Sequence, residues 1–224
     1  LPLFNLLVKV GDERIVDMIA EMLERYGLSK ENYPRSYRRI IELLDTITNH
    51  YPPTPEFIEK IFEISKEYDS MLFFEHFLGL LVSIVKNIEK EDIKINLIKE
   101  VVNFFGEKEN VKFLNKQPLE PLFPSIRKIL LTLQDPEILN YFSRIISTYN
   151  ALNLPSFAKK VIEKLGDTAE NTKSKEEVIK LAETFLNNQT LDNIKRVLEA
   201  YNNNSSYINR LFTHLLERSY IRGA

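Results

Sequence analysis

An all-α fold of stacked helix pairs is what this sequence predicts, on three observations. Apolar residues recur at three- and four-residue spacing along almost the whole chain. No long segment alternates with period two between hairpin turns, so no strand is predicted. Helix-start and helix-stop residues fall between the apolar stripes, where helix ends need them.

The stripes run in order. Ile15, Met18, Ile19, Met22, Leu23 and Tyr26 form the first, and Tyr37, Ile40, Ile41, Leu44 and Ile47 the second. Phe57, Ile61, Ile64 and Tyr68 follow Thr54-Pro55-Glu56, which reads as an N-cap, a first-turn proline and an acid facing the helix dipole. Residues 71–85 are almost continuously apolar and read as a buried helix. Within them Glu75, His76, Gly79, Ser83 and Lys86 make a narrow polar stripe, with Gly79 placed to allow a close helix crossing. Leu97, Ile98, Val101, Val102 and Phe105 come next, then Ile126, Ile129, Leu130 and Leu133. Asp135-Pro136-Glu137 opens the helix of Ile138, Tyr141, Phe142, Ile145 and Tyr149. Ser174-Lys175-Glu176-Glu177 is a capping box before Val178, Leu181, Ala182 and Phe185. Thr190 and Ser206 are expected to cap the last two helices. Gly11, Gly27, Gly106 and Gly166 follow stripes, where a left-handed C-terminal cap is wanted. The segments 166–174 and 202–206 read as polar loops.

Composition narrows the class. The chain has 224 residues, 44% hydrophobic and 28% charged, enough to bury a sizeable core. It has no cysteine, which excludes disulfides, Cys-ligated zinc and thiol chemistry and fits a cytoplasmic protein. The formal net charge of -2 provides no global basic field for nucleic acid. Residues 1–110 hold 14 Lys/Arg against 20 Asp/Glu, and residues 111–224 hold 16 against 12. The chain opens at Leu1 and reads as a processed or trimmed product. Its apolar start lacks a basic leader and is not read as a signal peptide. The most apolar run is shorter than the roughly 20 residues a membrane span needs, so no membrane insertion is expected.

A weak repeat is present. Thr54-Pro55-Glu56-Phe57-Ile58 matches Asp135-Pro136-Glu137-Ile138-Leu139 at an offset of 81 residues, and both segments end in tyrosine, at Tyr68 and Tyr149. Ser36-Tyr37-Arg38-Arg39-Ile40-Ile41 corresponds to Ser125-Ile126-Arg127-Lys128-Ile129-Leu130, with a third version at Ser156-Phe157-Ala158-Lys159-Lys160-Val161. The offset is close to two units of about 40 residues. The segment Leu130-Leu131-Thr132-Leu133-Gln134-Asp135-Pro136-Glu137-Ile138 resembles the turn between the two helices of a HEAT repeat; Ile138-Leu139 stands where that family carries Val-Arg. The resemblance implies an irregular HEAT-like helical-repeat solenoid that binds a macromolecule along a helical face. A compact two-block helical bundle is the alternative. In either case residues 1–116 form an N-terminal block and 117–224 a C-terminal block, separated at the three-proline segment 116–124 and expected to form one continuous helical array.

Chemistry-bearing patterns are few. His50, His76 and His214 have no histidine or carboxylate at i+4, the spacing of helical metal ligation. There is no glycine-rich phosphate loop and no Gly-x-Ser-x-Gly elbow. No cofactor or metal is expected. Glu75 and His76 could form a general acid/base pair, or simply be the solvated stripe of a buried helix. The most suggestive patch is Tyr33-Pro34-Arg35-Ser36-Tyr37-Arg38-Arg39. Arginine and tyrosine are enriched at protein-binding hot spots, and can also clamp phosphates and stack on bases. The expected contact residues are Tyr33, Arg35, Arg38, Arg39, Arg127 and Lys128. The expected function is a non-catalytic scaffold or adaptor that binds a protein partner, with nucleic acid as the first alternative partner. An enzyme built around Glu75 and His76 is the second alternative.

Overall fold

The computed structural model describes residues 2–28, 31 and 34–222, and among them the chain is all-helical. It divides into two compact units, Leu1–Glu107 and Lys108–Ala224. The segment 116–124, where the sequence suggested a break, lies inside the second unit.

The first unit contains α1 (Pro2–Val10), α2 (Arg14–Arg25), α3 (Pro34–His50), α4 (Pro55–Glu67), α5 (Met71–Asn87) and α6 (Glu91–Gly106). Its packing follows an every-other-helix rule. α3 packs on α1 and α5, while α4 packs on α2 and α6. Each row buries the stripe that the sequence supplies. Ile40, Leu44 and Ile47 of α3 and Ile61 of α4 have at most 1% of their surface exposed. α5 is heavily buried, with Phe74, Phe77, Leu78 and Leu81 fully enclosed. Each such side chain contributes about 1.5–3 kcal/mol by leaving water. Aromatic rings make the seam: Tyr68 stacks on Phe73 at 4.2 Å, and Phe77 meets Phe105 at 5.1 Å.

The second unit contains α7 (Lys108–Leu114), α8 (Leu122–Leu133), α9 (Glu137–Ala151), α10 (Pro155–Thr172), α11 (Lys175–Leu186), α12 (Asn188–Ala200) and α13 (Ser205–Arg222). Again α9 packs on α7 and α11, and α10 on α8. α10 is central and also meets α9, α11 and α13.

The helix ends show which local signals hold. Thr54 and Ser174 accept hydrogen bonds from the N–H groups of Phe57 and Glu177, as N-caps do. Gly11 and Gly27 adopt left-handed φ values of 65° and 62°. Gly106 instead is the last residue of α6, and Gly166 lies in the interior of α10, so segment 166–172 is helix rather than loop. The reason for a glycine at 166 is packing. A Cβ there would stand 3.2 Å from Ser125 Cβ and 3.3 Å from its Cα, at the contact between α10 and α8. Gly79, expected at a close crossing, has open space where its Cβ would be. α12 begins earlier than Thr190: Asn187 caps it by accepting from the Thr190 N–H. Asn204, not Ser206, caps α13 through the Tyr207 N–H.

A tyrosine clasp recurs between alternate helices. Tyr26 donates to the Ser65 carbonyl at 2.7 Å, Tyr68 to Phe105 at 2.7 Å and Tyr149 to Phe185 at 2.6 Å. The donor sits at or near the end of α2, α4 or α9, and the acceptor in the last turn of α4, α6 or α11. Last-turn carbonyls have no intrahelical partner, so each phenol completes the end of the neighbouring helix. Donor and acceptor are 39, 37 and 36 residues apart.

Candidate functional site

α3 carries the basic patch. Its apolar residues Ile40, Ile41, Leu44 and Ile47 turn inward, which leaves Arg35, Arg38 and Arg39 exposed and Tyr37 half-buried. At spacings of three and four, Arg35, Arg38 and Arg39 share one side of the helix. Among the described residues no ion pair ties these three guanidinium groups. Arg39 does lie within electrostatic reach of Glu75 on the neighbouring α5. Tyr33, the aromatic member expected in this patch, lies outside the described residues.

Arg127 and Lys128 lie on α8, in the second unit. Arg127 is exposed. Lys128 is half-buried and pairs with two carboxylates of α10, Glu170 at 2.8 Å and Asp167 at 3.8 Å. The third basic pair behaves similarly. Lys159 pairs with Glu163, and Lys160 reaches Glu163 at 3.4 Å and Glu217 at 3.2 Å. Burial opposes the charge of Lys160, but the carboxylates of Glu163 and Glu217 outweigh it and raise its pKa. The three basic pairs therefore differ. Lys128 of α8 and Lys159 and Lys160 of α10 are engaged by carboxylates of their own unit, whereas Arg127 and the arginines of α3 are presented to solvent.

Glu75 and His76 are half-buried on α5, along with Gly79 and Ser83. Burial pushes the Glu75 carboxyl above its ordinary value, against the opposing effect of Arg39 and His76. The Ser83 hydroxyl donates to the Gly79 carbonyl within its own helix at 3.0 Å. This is a helix exposing one polar stripe, with its hydroxyl spent on the backbone. His50 and His214 lie on α3 and α13, so the three histidines occupy three different helices.

Sequence reasoning passed over one surface. Tyr207, Arg210, His214 and Glu217 recur at three- and four-residue spacing on α13 and line an open groove of about 700 Å³. Their spacing was visible, but the groove beside them was not. Among the described residues, no helix is long and apolar enough to cross a membrane. No family model, curated protein or solved structure matches this chain.

Proposed function

We propose that the protein is a non-catalytic scaffold or adaptor, an irregular helical-repeat solenoid that binds a protein partner through the exposed face of α3. The observation that carries this reading is the set of three exposed arginines, Arg35, Arg38 and Arg39, with no ion pair among the described residues. Exposed arginine beside a half-buried tyrosine is the composition of a protein-binding hot spot. The repeat reading draws support from the alternate-helix packing and from tyrosine clasps that link residues 36 to 39 apart. That separation is the length of one two-helix repeat. Each helix pair leaves its apolar face for the next pair to cover, and the opposite faces are free to bind. The cysteine-free composition fits a cytoplasmic location.

A protein partner fits the charge pattern better than nucleic acid does. Lys128, Lys159 and Lys160 are engaged by carboxylates, and Glu75 stands near Arg39. A phosphate backbone would meet a small basic face bordered by acid rather than a long basic track.

The test is affinity purification of the tagged chain beside the triple variant Arg35→Glu, Arg38→Glu, Arg39→Glu. Circular dichroism and the melting temperature establish that the variant is folded. The reading predicts a stoichiometric protein that co-purifies with the wild type and is lost from the variant. Equal recovery of every partner with both proteins would refute the α3 face as the contact surface.

A further inference from the structure

Two outward helix faces complement each other. In the first unit α2 turns Ile15, Ile19 and Met22 inward and packs on α4. Its outer stripe, Glu13, Val16, Asp17, Ala20 and Glu24, is exposed. Glu13 stands just before α2 but already has helical backbone angles, so it continues the stripe. In the second unit α13 turns Ile208 and Leu216 inward and packs on α10. Its outer stripe, Tyr207, Arg210, His214, Leu215 and Arg218, is exposed as well.

Both stripes hold apolar side chains in water. Val16 is 52% exposed, Tyr207 49% and Leu215 51%. Phe4 and Val8, one turn apart on α1, are each 66% exposed and add to the apolar surface of the first unit. Stacked helical proteins stay apart in solution by making their outermost faces polar, and these faces are not uniformly polar.

The charges left free on the two stripes have opposite sign. On α2, Arg14 pairs with Asp12 and Glu21 with Lys66, while among the described residues no ion pair engages Glu13, Asp17 or Glu24. On α13, Glu217 is engaged by Lys160, while among the described residues no ion pair engages Arg210 or Arg218. The stripes also match in length. Each spans eleven positions, Glu13 to Glu24 and Tyr207 to Arg218, about 16 Å along a helix that rises roughly 1.5 Å per residue.

We propose that the α13 stripe of one copy docks on the α2 stripe of a second copy, head to tail. Arg210 and Arg218 meet the free carboxylates of α2, and Tyr207 and Leu215 cover Val16 and Ala20. The occupant is the chain itself, because each stripe finds its counter-charge, its length and its apolar content in the other. The arginines of α3 offer no such match to α2, since among the described residues α3 exposes no large apolar side chain. The contact uses a different surface of each copy, so it is heterologous. It does not rest on the α3 reading.

Sedimentation velocity of the full chain, from micromolar to near-millimolar concentration, tests this. Two charge-reversed variants are compared with wild type, Asp17→Lys with Glu24→Lys, and Arg210→Glu with Arg218→Glu. Circular dichroism and melting temperature establish that both are folded. Wild type should associate as concentration rises, and each variant alone should associate at least about tenfold more weakly, because like charges then face each other. An equimolar mixture of the two variants should recover assembly. Each then offers the other an intact stripe, and their two reversed stripes again carry opposite signs. A misfolded variant could not give that recovery. The Arg35→Glu, Arg38→Glu, Arg39→Glu variant should associate like wild type. A wild type that stays monomeric throughout, association indifferent to either variant, loss in both variants without recovery in the mixture, or loss in the α3 variant would overturn the proposal. Failure of the α3 face to capture a protein would leave each of these results unchanged, so the two readings fail separately.

Discussion

The phenol of Tyr68, at the end of α4, donates a 2.7 Å hydrogen bond to the Phe105 carbonyl in the last turn of α6. Tyr68 is fully buried and stacks on Phe73. Tyr149 repeats the relationship with Phe185 at 2.6 Å. Each bond joins alternate helices, between residues 37 and 36 apart, and each satisfies a carbonyl that the helix itself cannot.

Tyr68→Phe and Tyr149→Phe should therefore each destabilise the protein by about 1–3 kcal/mol, the cost of stranding a buried acceptor. The ring shape is retained, so the loss isolates the hydroxyl. Tyr141→Phe is the control. Its hydroxyl meets Glu183 at 3.2 Å in an exposed contact and should change stability by less than about 0.5 kcal/mol. Urea unfolding measures all three. Equal effects at the three sites would show that the clasps carry no special weight.

The same burial predicts the alkaline behaviour. Burial pushes Tyr26 up to about 12, with Arg25 opposing and Asp69 reinforcing, and it raises Tyr68 and Tyr149 further. An unfolded tyrosine ionises near 10. The folded state thus holds these protons more tightly than the unfolded state. The resulting stability is fully present below pH of about 10 and is lost as pH rises through the folded values. Stability should fall steeply above pH 10, and less steeply in the Tyr68→Phe, Tyr149→Phe double variant. Unfolding midpoints measured from pH 8 to 12 check this.

Two glycines should respond in opposite directions. Gly166→Ala drives a Cβ to within 3.3 Å of Ser125 Cα, a backbone atom that cannot rotate away, and should cost about 1–3 kcal/mol. Gly79→Ala fills open space in a helix interior and should stabilise by roughly 0.5–1 kcal/mol. Thermal melting of both variants decides it. Destabilisation by Gly79→Ala would restore the close crossing to α5.

Glu75 tests whether the α5 stripe is anything more than a solvated face. Burial raises its carboxyl above the ordinary 4.5, with Arg39 and His76 opposing. Because the folded value is the higher one, the favourable contribution exists below pH of about 4.5 and is lost as pH rises through the folded value. At neutral pH the ionised carboxylate opposes folding. Glu75→Gln should raise the melting temperature at pH 7 and change it little at pH 4. A lower melting temperature at pH 7 would show that the charge on Glu75 is used, by Arg39 or by a ligand.

Much of the fold is legible in residue order, and the failures have physical causes. α4 and α11 are readable because Thr54 and Ser174 place a side-chain acceptor three residues before an N–H that needs one. α7 is missed because seven residues are too few for helical periodicity to emerge. α10 is cut short at Gly166 because a glycine that ends a helix and one that admits a neighbour are identical in sequence. Only the position of Ser125, 41 residues earlier, distinguishes them. The exposure of Arg35, Arg38 and Arg39 follows from the inward stripe of α3. The neutralisation of Lys128 does not, because its carboxylates, Asp167 and Glu170, belong to α10 and are distant in sequence, Glu170 by 42 residues. The groove on α13 is hidden for the same reason: Ser156, which also lines it, is distant in the chain.

The partner proposed for the α3 face is a protein. The most direct measurement is purification of the tagged chain from its host at moderate salt, with and without nuclease. The expected result is one protein at stoichiometric amount that survives nuclease and depends on Arg35, Arg38 and Arg39. Loss of all association on nuclease treatment, with affinity that falls steeply as salt rises, would contradict it and make the α3 face a nucleic-acid contact.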